Sequence, residues 1–207
     1  GESRNKVITL VNSFHGRTLA TLTATGQDVF HHDFGPFPEH FDYVPAGDFA
    51  ALEKAADETA CAVMMELVQG EGGVVALDAD YVAKVAALCK KKDILLIVDE
   101  VQTGVGRTGR FLACEHFDLH PDIVTLAKGL GGGLPIGAVV MSKKVADHMG
   151  PGSHGSTFGG NPVCCAGALA VLDTMDEDFL ANVNERAVQL RAGLVKLPHV
   201  QEVSGLG

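Results

Sequence analysis

The chain has 207 residues, 46% of them apolar and 20% charged, with a formal net charge of −10, the makeup of a globular chain long enough for one sizeable core. No Lys or Arg cluster exceeds Lys90 to Lys92, which argues against a phosphate-backbone partner such as nucleic acid. Apolar runs such as Ile94 to Val98 and Ala138 to Met141 fall far short of the roughly 20 residues needed to span a bilayer.

In chain order, short β-branched or apolar runs alternate with segments of helical period. Strands are predicted over Val7 to Val11, Ala62 to Leu67, Ile94 to Asp99, Ile123 to Ala127 and Gly137 to Met141. Helices are predicted over Gly47 to Glu58, Asp78 to Lys92, Lys143 to His148, Pro162 to Thr174 and Asp178 to Leu197. The segment after Asp78 places Tyr81, Val82, Val85, Ala86, Leu88 and Cys89 on one stripe and ends in three lysines, which suits the negative end of a helix dipole. This alternation is the pattern of a layered α/β domain with a largely parallel sheet. The last helix is expected to leave that sheet for a second, smaller domain.

Glycines gather where the predicted strands end: Gly70, Gly72 and Gly73; Gly104, Gly106 and Gly109; Gly129 and Gly131 to Gly133; Gly159 and Gly160. The carboxyl ends of parallel strands form the ligand crevice of such sheets, and glycine lets backbone approach a ligand. GxGxxG, as in GVGRTG from Gly104, does not directly follow the first strand with an acid about 20 residues on, and GxxxxGK[ST] does not occur, which sets a nucleotide cradle aside. The five cysteines are odd in number and form no CxxC; they read as reduced thiols in a cytoplasmic protein. Cys164 and Cys165 are expected to be packed inside a buried helix, and His31 and His32 to lie in a solvated loop rather than at a metal.

Two strand-end residues carry chemistry. Asp99 closes the run ILLIVDE, and a carboxylate at the mouth of an apolar strand calls for a cationic partner, although a turn-capping acid has the same look. Lys128 closes IVTLAKG and is followed by GLGGG with no acidic neighbour, conditions that favour a nucleophilic amine over an ordinary surface lysine. A single loop and strand separate the two, so both can reach one crevice.

The runs SFHGRT from Ser13, ELVQGEGG from Glu66, LLIVDEVQTGVGRTG from Leu95, PDIVTLAKGLGGGLPIGA from Pro121 and HGSTFGGNP from His154 together resemble the class III aminotransferases of fold type I. Within that family, the two glycines before Asn161 look more like the acetylornithine and ornithine enzymes than the 4-aminobutyrate enzymes. The resemblance implies a three-layer α/β/α large domain with a mostly parallel mixed sheet over residues 1–176. Residues 177–207 would be a helix leading into a small domain.

It also implies pyridoxal 5'-phosphate as cofactor, with Lys128 condensing with its aldehyde and shuttling protons, and Asp99 holding its pyridine nitrogen protonated. Gln102 would bond the ring hydroxyl, Phe14 and Val101 would sandwich the ring, and Thr157 would reach the cofactor phosphate of a neighbouring subunit in a homodimer. Arg17 would clamp the substrate carboxylate, against the plainer reading of a solvent-facing residue at a helix start. Glu71 would pair with an arginine expected beyond Gly207.

The implied reaction moves the distal amino group of N-acetylornithine to 2-oxoglutarate in arginine biosynthesis. Succinylornithine, ornithine and 4-aminobutyrate are alternative amines, and an inactive truncated domain is an alternative of another class. Leu67 stands where many members have proline, and the family's main phosphate-binding turn is expected ahead of Gly1. The opening at Gly1 without Met and the stop at Gly207 lead to the expectation of a fragment.

Overall fold

The computed structural model describes residues 3–207; Gly1 lies outside them. Eight strands form: β1 (Lys6–Leu10), β2 (Phe41–Val44), β3 (Ala60–Met65), β4 (Val68–Gln69), β5 (Val75–Ala76), β6 (Leu95–Asp99), β7 (Ile123–Leu126) and β8 (Ala138–Met141). Six build one mixed sheet in the order β2-β1-β3-β6-β7-β8. All neighbours are parallel except β7 and β8, which run antiparallel. The short β4 and β5 make a separate antiparallel hairpin.

The helices are α1 (Leu19–Ala24), α2 (Phe49–Ala55), α3 (Ala79–Lys92), α4 (Lys143–Ala146), α5 (Pro162–Asp173) and α6 (Glu177–Leu194). The starts of α2, α3, α5 and α6 follow capping chemistry: Asp48, Asp78, Asn161 and Asp176 each accept a first-turn amide, satisfying a donor that the helix itself leaves open. The stripe on α3 buries Tyr81, Val82, Val85, Leu88 and Cys89. It packs with Leu52 of α2 and with Val63, Met65, Leu96 and Val98 of the sheet into the main core. Each such aliphatic side chain, once fully covered, contributes about 1.5–3 kcal/mol. A smaller cluster joins Val124 and Leu126 of β7 to Leu130 and to Ala168 of α5.

Along β6 the pattern alternates: Leu96 and Val98 are buried while Leu95 and Ile97 are half-buried, so one face of the sheet is covered more fully than the other. Among the described residues no helix is long and apolar enough to cross a membrane.

Two expectations need correction. Cys164 and Cys165 are on a helix as read, but they are only half-buried, and Val163 and Leu169 of the same helix are 66% and 61% exposed. α5 lays only a narrow edge on the sheet. His31 is not simply solvated either: its Nε2 lies 2.9 Å from the Leu22 carbonyl and its ring leans on Phe37 and Tyr43. The strand β2 and the helix α1 answer to no predicted element.

Candidate active site

β1, β3, β6 and β7 are consecutive and parallel, so the segments that follow them emerge from one edge of the sheet. These are Ser13–Arg17, Glu66–Glu71, Asp99–Gln102 and the turn that opens at Lys128, and they hold seven of the eight residues singled out from the sequence.

Asp99 ends β6 opposite Thr125 of β7 and is only 6% exposed. Its Oδ1 accepts from the Val101 amide at 3.0 Å and from Thr125 Oγ1 at 3.0 Å. Its Oδ2 lies 2.9 Å from Nδ1 of His15; an ionised carboxylate only accepts, so Nδ1 carries the proton. Three donors from three strand ends thus fix the carboxylate's orientation. Glu100, the next residue, has a separate task. Only 1% exposed, it accepts from Thr103 Oγ1 at 2.5 Å and from the amides of Ala113 and Cys114 at 3.0 and 2.8 Å. It ties the 100–114 loop together, while Asp99 caps the turn only through the Val101 amide and also binds His15 and Thr125.

Behind Asp99 lie two residues that sequence reasoning passed over. The His15 side chain is fully enclosed, its amide donates to Thr25 Oγ1 at 2.9 Å, and its ring Nε2 is buried with no partner. Glu66, 3% exposed, accepts from the Phe14 amide at 2.9 Å and from the Gly70 amide at 3.3 Å. Burial pushes the Glu66 carboxyl above the usual range, aided by the charge of Asp99, while the Phe14 amide and His15 pull the other way. Both residues lie in quoted motifs; the signal that could have drawn attention to them is a polar side chain flanked by an otherwise apolar strand end.

Gln102 is half-buried and its Nε2 donates to Glu71 Oε1 at 3.2 Å. Gly70 makes this possible, because a Cβ there would stand 2.4 Å from Gln102 Oε1. Val101 is half-buried beside them. A cleft of about 210 Å3 lined by Val68, Gly70, Gln102, Thr103 and Arg107 adjoins this pair.

Phe14 is half-buried and meets Phe30 edge to face, ring centroids 5.5 Å apart. Arg17 is exposed, one residue ahead of the α1 N-cap Thr18, as the plainer reading had it. Its guanidinium lies over both rings, 4.4 Å from the Phe30 centroid and 5.4 Å from that of Phe14.

Lys128 begins a 3₁₀ turn, Lys128–Gly131, two residues after β7. Its backbone is left-handed at φ 45° and its side chain is exposed. Thr157 stands apart in the exposed turn before α5; no hydrogen bond joins it to the other seven.

The segments after these strands thus carry a primary amine, a buried donor-fixed carboxylate, an amide, an aromatic side chain and a guanidinium, the kinds of group that would hold a small planar ring. One end of that ring would be electrophilic and the other a cationic nitrogen.

Residues 1–207 match the family described as aminotransferase class-III. The chain is 54% identical over 208 residues to the acetylornithine aminotransferase of Haemophilus ducreyi, covering 100% of this chain and 53% of that protein. Its fold is similar to the ornithine aminotransferase of Toxoplasma gondii, whose structure was described with partial occupancy of PLP at the active site. The TM-score is 0.90 with 41% identity, over 99% of this chain and 50% of that one. It is also similar to the N-acetylornithine aminotransferase of Stenotrophomonas maltophilia, with TM-score 0.79 and 34% identity, over 100% of this chain and 50% of that one. The chain spans about half the length of the curated relatives it matches.

Proposed function

Because the chain belongs to the class-III aminotransferase family, whose cofactor is pyridoxal phosphate, we propose that it carries the cofactor-binding core of a transaminase. That enzyme moves the distal amino group of N-acetylornithine to 2-oxoglutarate, in arginine biosynthesis. The observation that carries the reading is Asp99 in its three-donor cradle at the end of β6, with Lys128 past the end of the neighbouring strand β7.

The cofactor supplies, when bound, an aldehyde that exchanges amino groups and a ring that accepts electrons. Lys128 Nζ would hold it and move a proton at the reacting carbon. The Asp99 carboxylate would keep the ring nitrogen charged. Gln102 would bond the ring hydroxyl, and Phe14 and Val101 would hold the ring between them. Arg17 clamps a substrate carboxylate through its planar pair of N–H groups. Glu71 offers its carboxylate to an arginine outside this chain, and Thr157 serves the phosphate of a neighbouring subunit in a homodimer.

The reading divides the chain into a large-domain portion, 1–176, and a segment entering a small domain, 177–207, and places the protein in the cytoplasm, in keeping with its five free cysteines. The Haemophilus ducreyi relative supports acetylornithine as the amine; the Toxoplasma gondii structure makes ornithine the first alternative. The test is a coupled assay of the complete polypeptide with each amine and 2-oxoglutarate. Acetylornithine should turn over fastest, and no turnover of it overturns the substrate assignment. The loaded protein should show a visible absorption band that borohydride abolishes and that Lys128→Ala lacks; a colourless wild-type protein overturns the cofactor assignment.

A further inference from the structure

We infer that Phe30 is a positioning residue: with Phe14 it forms an aromatic seat that holds the Arg17 guanidinium ready for a substrate carboxylate. The inference rests on the reading of Arg17 as that clamp and adds a residue to which no motif gave a role.

Among the described residues nothing holds the Arg17 cation by charge: no carboxylate lies within 4.0 Å of it and no hydrogen bond uses its guanidinium. A long, exposed side chain in that condition ordinarily wanders among rotamers. Here the guanidinium lies over the face of Phe30 at 4.4 Å and also over Phe14 at 5.4 Å. Cations are drawn to the negative face of an aromatic ring, and a stacked guanidinium keeps its N–H donors free along its edge. The seat fixes the plane without spending the groups that would grip a carboxylate.

The seat is itself anchored. Phe30 ends a 3₁₀ turn, Asp28–Phe30, in a segment stitched to the stretch that carries Phe14. The Asn12 amide donates to the Gly26 carbonyl at 2.8 Å, the Gly26 amide to Ser13 Oγ at 3.0 Å, and Gln27 Nε2 to the Ser13 carbonyl at 3.0 Å. Gly26 permits this approach, since a Cβ there would overlap the Leu10 carbonyl oxygen at 2.1 Å. Phe30 is therefore placed by hydrogen bonds of the segment that carries it and not by chance collapse. Phe14, which faces the cofactor in the functional reading, is shared between ring stacking and the arginine seat.

The experiment measures binding of glutarate, a non-reactive five-carbon dicarboxylate, to the complete cofactor-loaded polypeptide by calorimetry, together with KM for 2-oxoglutarate and the melting temperature. Phe30→Leu keeps apolar bulk and removes the π face; it should weaken glutarate about fivefold and raise KM by a similar factor, with kcat within about twofold. Phe30→Tyr should bind like the wild type. Phe30→Met, which also keeps apolar bulk without a π face but in a more adaptable side chain, should behave like Phe30→Leu and tests the seat even where Phe30→Leu folds poorly. Unchanged glutarate affinity in Phe30→Leu, or a Phe30→Tyr protein as weak as Phe30→Leu, overturns the inference while leaving the clamp intact. Unchanged affinity in Arg17→Gln overturns the clamp itself, and the seat with it.

Discussion

Gln102 and Glu71 hold each other: the amide of one donates to the carboxylate of the other at 3.2 Å, across the turns that follow β6 and β3. The sequence implied separate partners for them, a ring hydroxyl and an arginine. Their contact means that each must exchange this bond for its functional one, and that the turn at Gly70 governs both. Gly70→Ala puts a methyl into the space of the Gln102 amide. That amide is the end of a flexible side chain, so it should swing aside at a stability cost under about 1 kcal/mol. Cofactor affinity should fall by about tenfold, the loss of a hydrogen bond to the ring. Spectroscopic titration beside a thermal melt checks this; a large loss of stability with unchanged affinity would show that Gly70 matters for folding alone.

His15 should separate stability from function. His15→Leu removes the donor to Asp99 but also removes the buried Nε2 that has no partner. A lost hydrogen bond to a charged group and a relieved orphan atom are each of order 1–3 kcal/mol and oppose one another. Urea unfolding should therefore shift by less than about 1 kcal/mol, while kcat drops by at least about tenfold as Asp99 loses its third donor. His15→Asn, which can present an N–H in the same place, should recover part of the rate. A variant as active as the wild type would show that the other two donors suffice.

The parts legible from sequence are those in which one local pattern decides the outcome. Asp78, a stripe of five buried side chains and three terminal lysines specify α3; apolar runs specify β1, β3, β6 and β7. The edge strand β2 was not legible because Val44 alone is buried in it and its place comes from backbone pairing with β1. The threonine-rich α1 has six residues and no side-chain cap, so it carries neither period nor start signal.

In the site, Asp99 and Lys128 could be read as strand-end oddities, whereas His15 and Glu66 take their meaning from partners 84 and 52 positions away. The apolar run of α5 was read as burial. Composition reports what a face could cover, and Val163 and Leu169 are uncovered here.

Glu66 gives the molecule a pH dependence with a definite sign. Its carboxyl is raised in the folded chain, chiefly by burial, so the folded state favours the protonated form more than the unfolded state does. Stability from this group is fully present below the ordinary carboxylate range and is lost as pH rises through the raised value. Unfolding free energies measured across that interval should fall for the wild type relative to Glu66→Gln, then run parallel at higher pH. A wild type that gains on the variant as pH rises would mean that the Phe14 and Gly70 amides outweigh burial.

Lys128 occupies a backbone conformation that its side chain does not favour. At φ 45° a non-glycine residue sits in the left-handed region, which costs about 1–2 kcal/mol for most side chains and less for asparagine. The Lys128 side chain is exposed, so removing it sacrifices little packing. Lys128→Asn should therefore raise the apo protein's unfolding free energy by about 0.5–1 kcal/mol while abolishing the borohydride-sensitive band and the transaminase rate. A loss of stability in the apo protein would instead show that the lysine is held by contacts worth more than the strain. A gain places the strain where the function needs an amine: a lysine kept in an unfavourable backbone at the end of β7 has its justification in the reaction and not in the fold.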